Sequence, residues 1–132
     1  MEAPVFILGL HRSGTTLLYQ MLARSECFNI LTARHVVCFG DIACSSNGHD
    51  GTWKRVARRF HRLGVSRRDV DAVDIHPDTP EEYGFLLDNL HAGRAITRRH
   101  LGVFRYICET VRRDQPPRRT LLLKNPWDFG NA

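Results

Sequence analysis

The chain has 132 residues, 42% of them hydrophobic, which suffices for one domain with a substantial core and excludes two. Charged residues make up 25%, ordinary for a soluble globular protein, and the net charge of +5 points to anionic ligands, either a doubly phosphorylated nucleotide or a nucleic acid. Nucleic acid is disfavoured because the bases need an aromatic stacking platform, and no basic–aromatic interleave occurs. Lys54 and Lys124 are the only lysines, and an arginine bias of this kind commonly follows genome composition. Cys27, Cys38, Cys44 and Cys108 form no CxxC pair and no zinc-ligand spacing, so they read as reduced thiols. The first apolar run is too short for a signal or membrane-spanning segment, which makes a cytoplasmic protein the expectation.

In chain order, Val5 to Leu8 reads as a buried strand that ends at Gly9, followed by a tight loop from Leu10 to Gly14. Thr15 to Ala23 reads as a helix with Leu17, Leu18, Met21 and Leu22 on its buried face. Ile30 to Thr32 is a short extended piece, and the apolar run Val36 to Phe39 is ambiguous in type. Ile42 to Gly51 has no apolar period, and its Ser-Ser-Asn-Gly-His-Asp-Gly cluster reads as a loop, on the substrate side or simply at the surface. Thr52 to Leu63 has helical periodicity, with Trp53, Val56, Ala57, Phe60 and Leu63 on one face and Lys54, Arg55, Arg58, Arg59 and Arg62 on the other. That basic face is either solvated or a contact for an acidic acceptor or a membrane surface.

Pro80, with Thr79 before it, predicts a helix start, which places Glu81 and Glu82 in the first turn where the helix dipole favours carboxylates. Arg94 to Arg113 forms the longest helical pattern, burying Ile96, Val103, Phe104, Ile107 and Val111, and Asp114-Gln-Pro-Pro ends it. Thr120 to Leu123 is a second continuous apolar run, expected to lie parallel to the first strand, and Lys124 closes it. Strand, loop, helix and a later parallel strand together predict an α/β domain over residues 1–132: a phosphate-loop nucleotide-hydrolase-like parallel sheet flanked by helices. Within it the loop covers residues 8–18, a helical region 52–114, and the second core strand 120–124.

Four residues separate Gly9 from Gly14, the glycine spacing of a Walker-type phosphate loop. Thr15 and Thr16 stand where that motif requires Lys and then Ser or Thr, and the cation has moved inside the loop, to Arg12. Anion binding is retained while hydrolysis of a nucleoside triphosphate is disfavoured. Leu8-Gly-Leu-His-Arg-Ser-Gly-Thr-Thr-Leu-Leu resembles the 5′-phosphosulfate loop of the sulfotransferases that use the adenylyl sulfate donor PAPS, in particular the bacterial and tyrosylprotein-type members. The resemblance implies that His11, Arg12, Ser13, Gly14, Thr15 and Thr16 bind the donor's 5′-phosphosulfate, and that no metal takes part. Leu122-Leu-Lys-Asn-Pro is similar to the family's strand-end Lys-x-Pro segment, which implies that Lys124 contacts the donor and stabilises the transition state. The segment around Pro80-Glu-Glu-Tyr and Phe85-Leu-Leu also looks like an internal stretch of the bacterial group.

Sulfuryl transfer needs alignment of donor and acceptor, removal of the acceptor's proton and neutralisation of charge on the leaving oxygen. Arg12 and Lys124 are the candidate cations. The bacterial and tyrosylprotein groups carry a glutamate base about two dozen residues past the loop arginine, whereas this chain reads Leu31-Thr-Ala-Arg-His-Val there. His35 is therefore the first candidate base, with Glu82 and His76 as alternatives. The acceptor is a hydroxyl or an amine on a small molecule, a carbohydrate or a peptide. Typical members grip the donor's 3′-phosphate beyond the point at which this sequence stops, so the sheet is expected to be incomplete and to need a C-terminal complement or an oligomer. Two other readings stay open: a kinase-like phosphate-loop enzyme, and a non-catalytic anion-binding fragment.

Overall fold

A computed structural model describes residues 3–10, 12–44, 50–64 and 75–131, with residues 50–53, 130 and 131 as backbone only. Three strands make a parallel sheet in the order β1-β3-β2: β1 is Val5–Ile7, β2 is Phe28–Ile30 and β3 is Thr120–Lys124. β3 pairs on both sides, with Val5 opposite Leu122 and Ile7 opposite Lys124 on one edge, and Ile30 opposite Leu122 on the other. A strand with neighbours on both edges and layers on both faces has no solvated side, which is why β3 reads as an unbroken apolar run. The expected parallel pairing of the first and last strands is present. β2 begins at Phe28, slightly upstream of the predicted extended piece at Ile30 to Thr32.

Residue alternation along β3 sorts the layers. Leu121 and Leu123 face a core built with Leu31, Tyr83, Leu86, Leu87, Phe104, Ile107 and Val111. These residues come from helix α4 (Tyr83–Asn89), helix α5 (Leu101–Arg113) and the stretch after β2. Leu122 faces the opposite way, onto Ile7 and Tyr19 of helix α1 (Thr15–Arg24). Lys124 shares the parity of Leu122 and so meets the α1 side. Helix α2 (Ala33–Cys44), kinked at Cys38, and helix α3 (Asp50–Leu63) build a smaller cluster from Ala33, Cys38, Ile42, Val56 and Phe60.

Several local expectations are corrected. α1 buries Tyr19, whose hydroxyl donates to the carbonyls of Leu31 (3.3 Å) and Leu122 (3.4 Å), and this rotates the predicted stripe outward. Leu17, Leu18 and Met21 are exposed, as are Val5, Leu8 and Leu10. Helix α4 begins at Tyr83, not at Pro80. The preceding segment is held extended against the chain after β2: Thr32 bridges Pro80, Ala33 N–H donates to Thr79 C=O (2.9 Å), and Glu81 N–H to Leu31 C=O (2.9 Å).

Residues 94–97 are not helical either. Ile96 N–H donates to Asp128 Oδ1 (2.7 Å) and Asn125 Nδ2 to Arg94 C=O (2.8 Å), so α5 starts only at Leu101, after a 3-10 turn at Arg98–His100. In α3, Val56 and Phe60 are buried as expected while Ala57 and Leu63 are exposed; the side chains of Thr52 and Trp53 lie outside the described residues. α2 covers the ambiguous Val36 to Phe39 run and reaches Cys44, and 45–49 of the predicted loop lie outside the described residues. All four cysteines are free thiols. Among the described residues, no helix is long and apolar enough to cross a membrane.

Candidate active site

The loop between β1 and α1 turns on two left-handed residues, Arg12 (φ 65°) and Gly14 (φ 82°). For Gly14 the conformation costs little, whereas for a residue with a Cβ it is sparsely populated; strain of this kind concentrates where backbone N–H groups must be aimed. Gly9 is required for a different reason: a Cβ there would lie 2.6 Å from Thr15 Cγ2 and 2.9 Å from Ser13 Oγ. Ser13 closes the turn by donating from Oγ (2.6 Å) and from N–H (3.2 Å) to Leu10 C=O. The first intrahelical bond runs from Leu18 N–H to Gly14 C=O, and Gly14 has no side chain to cap the turn. The helix therefore presents its first N–H groups, with the positive end of its dipole, to whatever occupies the loop. Arg12 is exposed beside it, and His11 lies outside the described residues.

Lys124 is carried to the same sheet edge by β3. Its side chain is only 5% exposed, and Nζ donates to Thr16 Oγ1 (3.0 Å) and to Glu82 Oε1 (2.5 Å). One ammonium thus joins the hydroxyl at the start of α1 to a carboxylate at the start of α4. The chain on either side is fixed by a second buried cluster. Tyr83, next to Glu82, donates its hydroxyl to Asp128. Asn125, next to Lys124, donates from Nδ2 to the same Asp128 oxygen (2.8 Å). Burial and this carboxylate push the Tyr83 phenol well above its ordinary range, so it stays a donor. Gly84 lets α4 approach the segments that carry Asn125 and Arg94, since a Cβ there would lie 2.5 Å from Asn125 Oδ1 and 2.7 Å from Arg94 C=O.

His35 is not part of this group. Its ring is fully buried: Nδ1 accepts from Thr32 N–H (3.0 Å) and meets Thr32 Oγ1 at 2.8 Å, while Nε2 lies 3.2 Å from Asp114 Oδ2. Since Nδ1 accepts, the neutral ring carries its proton on Nε2, facing the carboxylate. Desolvation lowers the pKa of His35 despite Asp114, so the imidazole is neutral near pH 7. The sequence thus brings Thr16, Lys124 and Glu82 together, leaves His35 in a separate buried pair, and keeps His76 apart, its backbone N–H held by Thr79 Oγ1 (2.8 Å). The signal for Glu82 was the Pro-Glu-Glu segment itself, but a position ahead of α4 rather than inside it is what aims the carboxylate at Lys124. Among the described residues, no cluster of three or more His, Cys, Asp or Glu could hold a metal ion.

The loop at the N-terminus of α1 and the buried Lys124 at the end of the adjacent parallel strand lie together at the carboxyl edge of the sheet, the edge at which open α/β sheets bind their ligands. The model of the sulfotransferase family matches residues 4–132. The chain belongs to the sulfotransferase family. No curated protein and no solved structure matches it. The family match spans the loop, Glu82 and Lys124 alike, and sulfuryl transfer is the general chemistry of that family.

Proposed function

We propose that this chain transfers a sulfuryl group from PAPS to a hydroxyl or amine acceptor, and that its finer likeness is to the bacterial and tyrosylprotein-type sulfotransferases. The observation that carries the reading is the bridge made by Lys124 Nζ between Thr16 and Glu82 beside the loop. The loop fits the donor's 5′-phosphosulfate: open first-turn N–H groups, the Thr15 and Thr16 hydroxyls and the Arg12 guanidinium offer donors to tetrahedral oxygens. Lys124 and Arg12 stabilise charge on the bridging oxygen and on the equatorial sulfuryl oxygens.

Glu82, rather than His35, is the base in this proposal. It is 15% exposed and paired to the lysine, whereas the His35 ring is sealed from any acceptor. In the step, the acceptor oxygen or nitrogen forms a bond to sulfur as the bond from sulfur to the phosphate oxygen breaks. The acceptor's proton passes to the Glu82 carboxylate, and the electron pair leaves with adenosine 3′,5′-bisphosphate. Lys124 would turn from Glu82 towards the bridging oxygen as the donor binds, freeing the carboxylate for the acceptor.

The test is turnover of PAPS, read as formation of adenosine 3′,5′-bisphosphate with a panel of phenol, sugar and amine acceptors. Lys124→Ala and Glu82→Gln should each lower kcat at least a hundredfold, the usual range for a positioned cation or base. His35→Gln should leave kcat within a few fold once the protein is folded. Loss of turnover in His35→Gln with full activity in Glu82→Gln would reverse the base assignment.

A further inference from the structure

We propose that a cavity between α2 and α3 is a second binding site, for a compact polyanion bearing two or more phosphate or sulfate groups. The cavity, about 410 Å³ in volume, is lined by Arg55, Arg58, Arg59, Arg62, Asp41 and Leu63. That volume is within the range of small-ligand pockets, and four of the six lining residues are arginines, whose apolar stems and guanidinium heads both border the space. None of the six residues belongs to the loop, to Lys124 or to Glu82, so the site is independent of the sulfuryl-transfer reading.

The sequence concentrates charge here beyond what solubility needs. Arg55 and Arg58, and Arg59 and Arg62, stand three apart, while Arg55 and Arg59, and Arg58 and Arg62, stand four apart, so the four side chains emerge on one face of α3 and repel one another. Among the described residues Asp41 is the one carboxylate in the lining, and it pairs with Arg59 at 3.5 Å. Four guanidinium groups against one carboxylate leave the concavity with a formal surplus of three positive charges. A concave surface focuses that field, and a planar guanidinium presents paired N–H donors that match two oxygens of a phosphate or sulfate group. The opposite face of α3 is anchored by Val56 and Phe60, so the arginines are held in position by a buried stripe and do not themselves support the fold.

The occupant is therefore small and multiply charged. A singly charged anion would leave most of the repulsion in place, and a neutral sugar would gain nothing from this lining. Phosphate esters and sulfate esters share the required chemistry, and two probes separate them: inorganic pyrophosphate and sucrose octasulfate, with sucrose as the neutral control.

Titration calorimetry of the full chain at low salt should show saturable binding of at least one of these anions and none of sucrose, weakening as ionic strength rises. Arg55→Gln combined with Arg62→Gln should reduce the affinity about tenfold or more, as two exposed charge-assisted contacts are removed. Glutamine has nearly the helix propensity of arginine, and both positions are exposed, so circular dichroism should be unchanged. Arg12→Ala should leave this affinity intact. Unaltered binding in the double arginine variant, binding abolished by Arg12→Ala, or no binding of either anion would each overturn the proposal. So would a preference for duplex DNA over both anions that the double variant removes.

Discussion

The pair formed by Lys124 and Glu82 can be isolated by a double-mutant cycle. Both side chains are largely withdrawn from water, at 5% and 15% exposed, and they touch at 2.5 Å. At that separation two unit charges in an effective dielectric near 20 attract by roughly 7 kcal/mol before desolvation is subtracted. Removing only the lysine, as Lys124→Met, strands a carboxylate beside the Thr16 hydroxyl and should destabilise the fold by about 3–5 kcal/mol. Removing both charges, as Lys124→Met with Glu82→Gln, deletes the attraction and the desolvation cost together. The double variant should therefore recover at least about 2 kcal/mol relative to the sum of the single changes. Urea unfolding followed by circular dichroism gives each value, provided that the slope of the transition is unchanged between variants. Additive effects within about 0.5 kcal/mol would mean that the pair is not energetically coupled, and the site built on it would be refuted.

Two further outcomes follow from the same structure. His35 has its pKa lowered by burial, so the unfolded chain takes up a proton before the native chain does; the stability that this contributes is complete above pH 6.5 and is lost as pH falls below it. Unfolding free energy should thus decline by up to about 1.4 kcal/mol per pH unit below that point, more steeply than in His35→Gln; identical slopes would contradict the burial. Gly14→Ala meets no atom within 4 Å but must hold φ at 82°, so it should cost about 1–2 kcal/mol through the backbone alone. An unchanged unfolding midpoint in Gly14→Ala would show that the loop does not depend on the left-handed turn.

The parts of the fold legible in the sequence were those set by neighbours along the chain. Gly9 and Gly14 mark the turn because one is hemmed in by Ser13 and Thr15 and the other has positive φ, and both causes lie within six residues. The continuous apolar run of β3 and the period of α5 likewise report their own burial. What could not be read rests on distant partners. The α1 stripe looked internal, yet Tyr19 won the buried position because carbonyls of Leu31 and Leu122 accept its hydroxyl. Pro80 looked like a helix start, yet Thr32 holds it extended, and Glu82 is thereby aimed at Lys124 across 42 positions of sequence. His35 has the side chain of a base, but Asp114 and Thr32 seal it, and neither partner could be deduced from spacing.

The loop's ligand can be identified by calorimetric titration with adenosine 3′,5′-bisphosphate against ATP–magnesium. The bisphosphate should bind without magnesium, and its binding should be weakened at least tenfold by Arg12→Ala and by Lys124→Ala in protein that remains folded. Preferential, magnesium-dependent binding of ATP would contradict this expectation in favour of a kinase-like enzyme, and bisphosphate binding indifferent to both substitutions would remove the loop and Lys124 from the site.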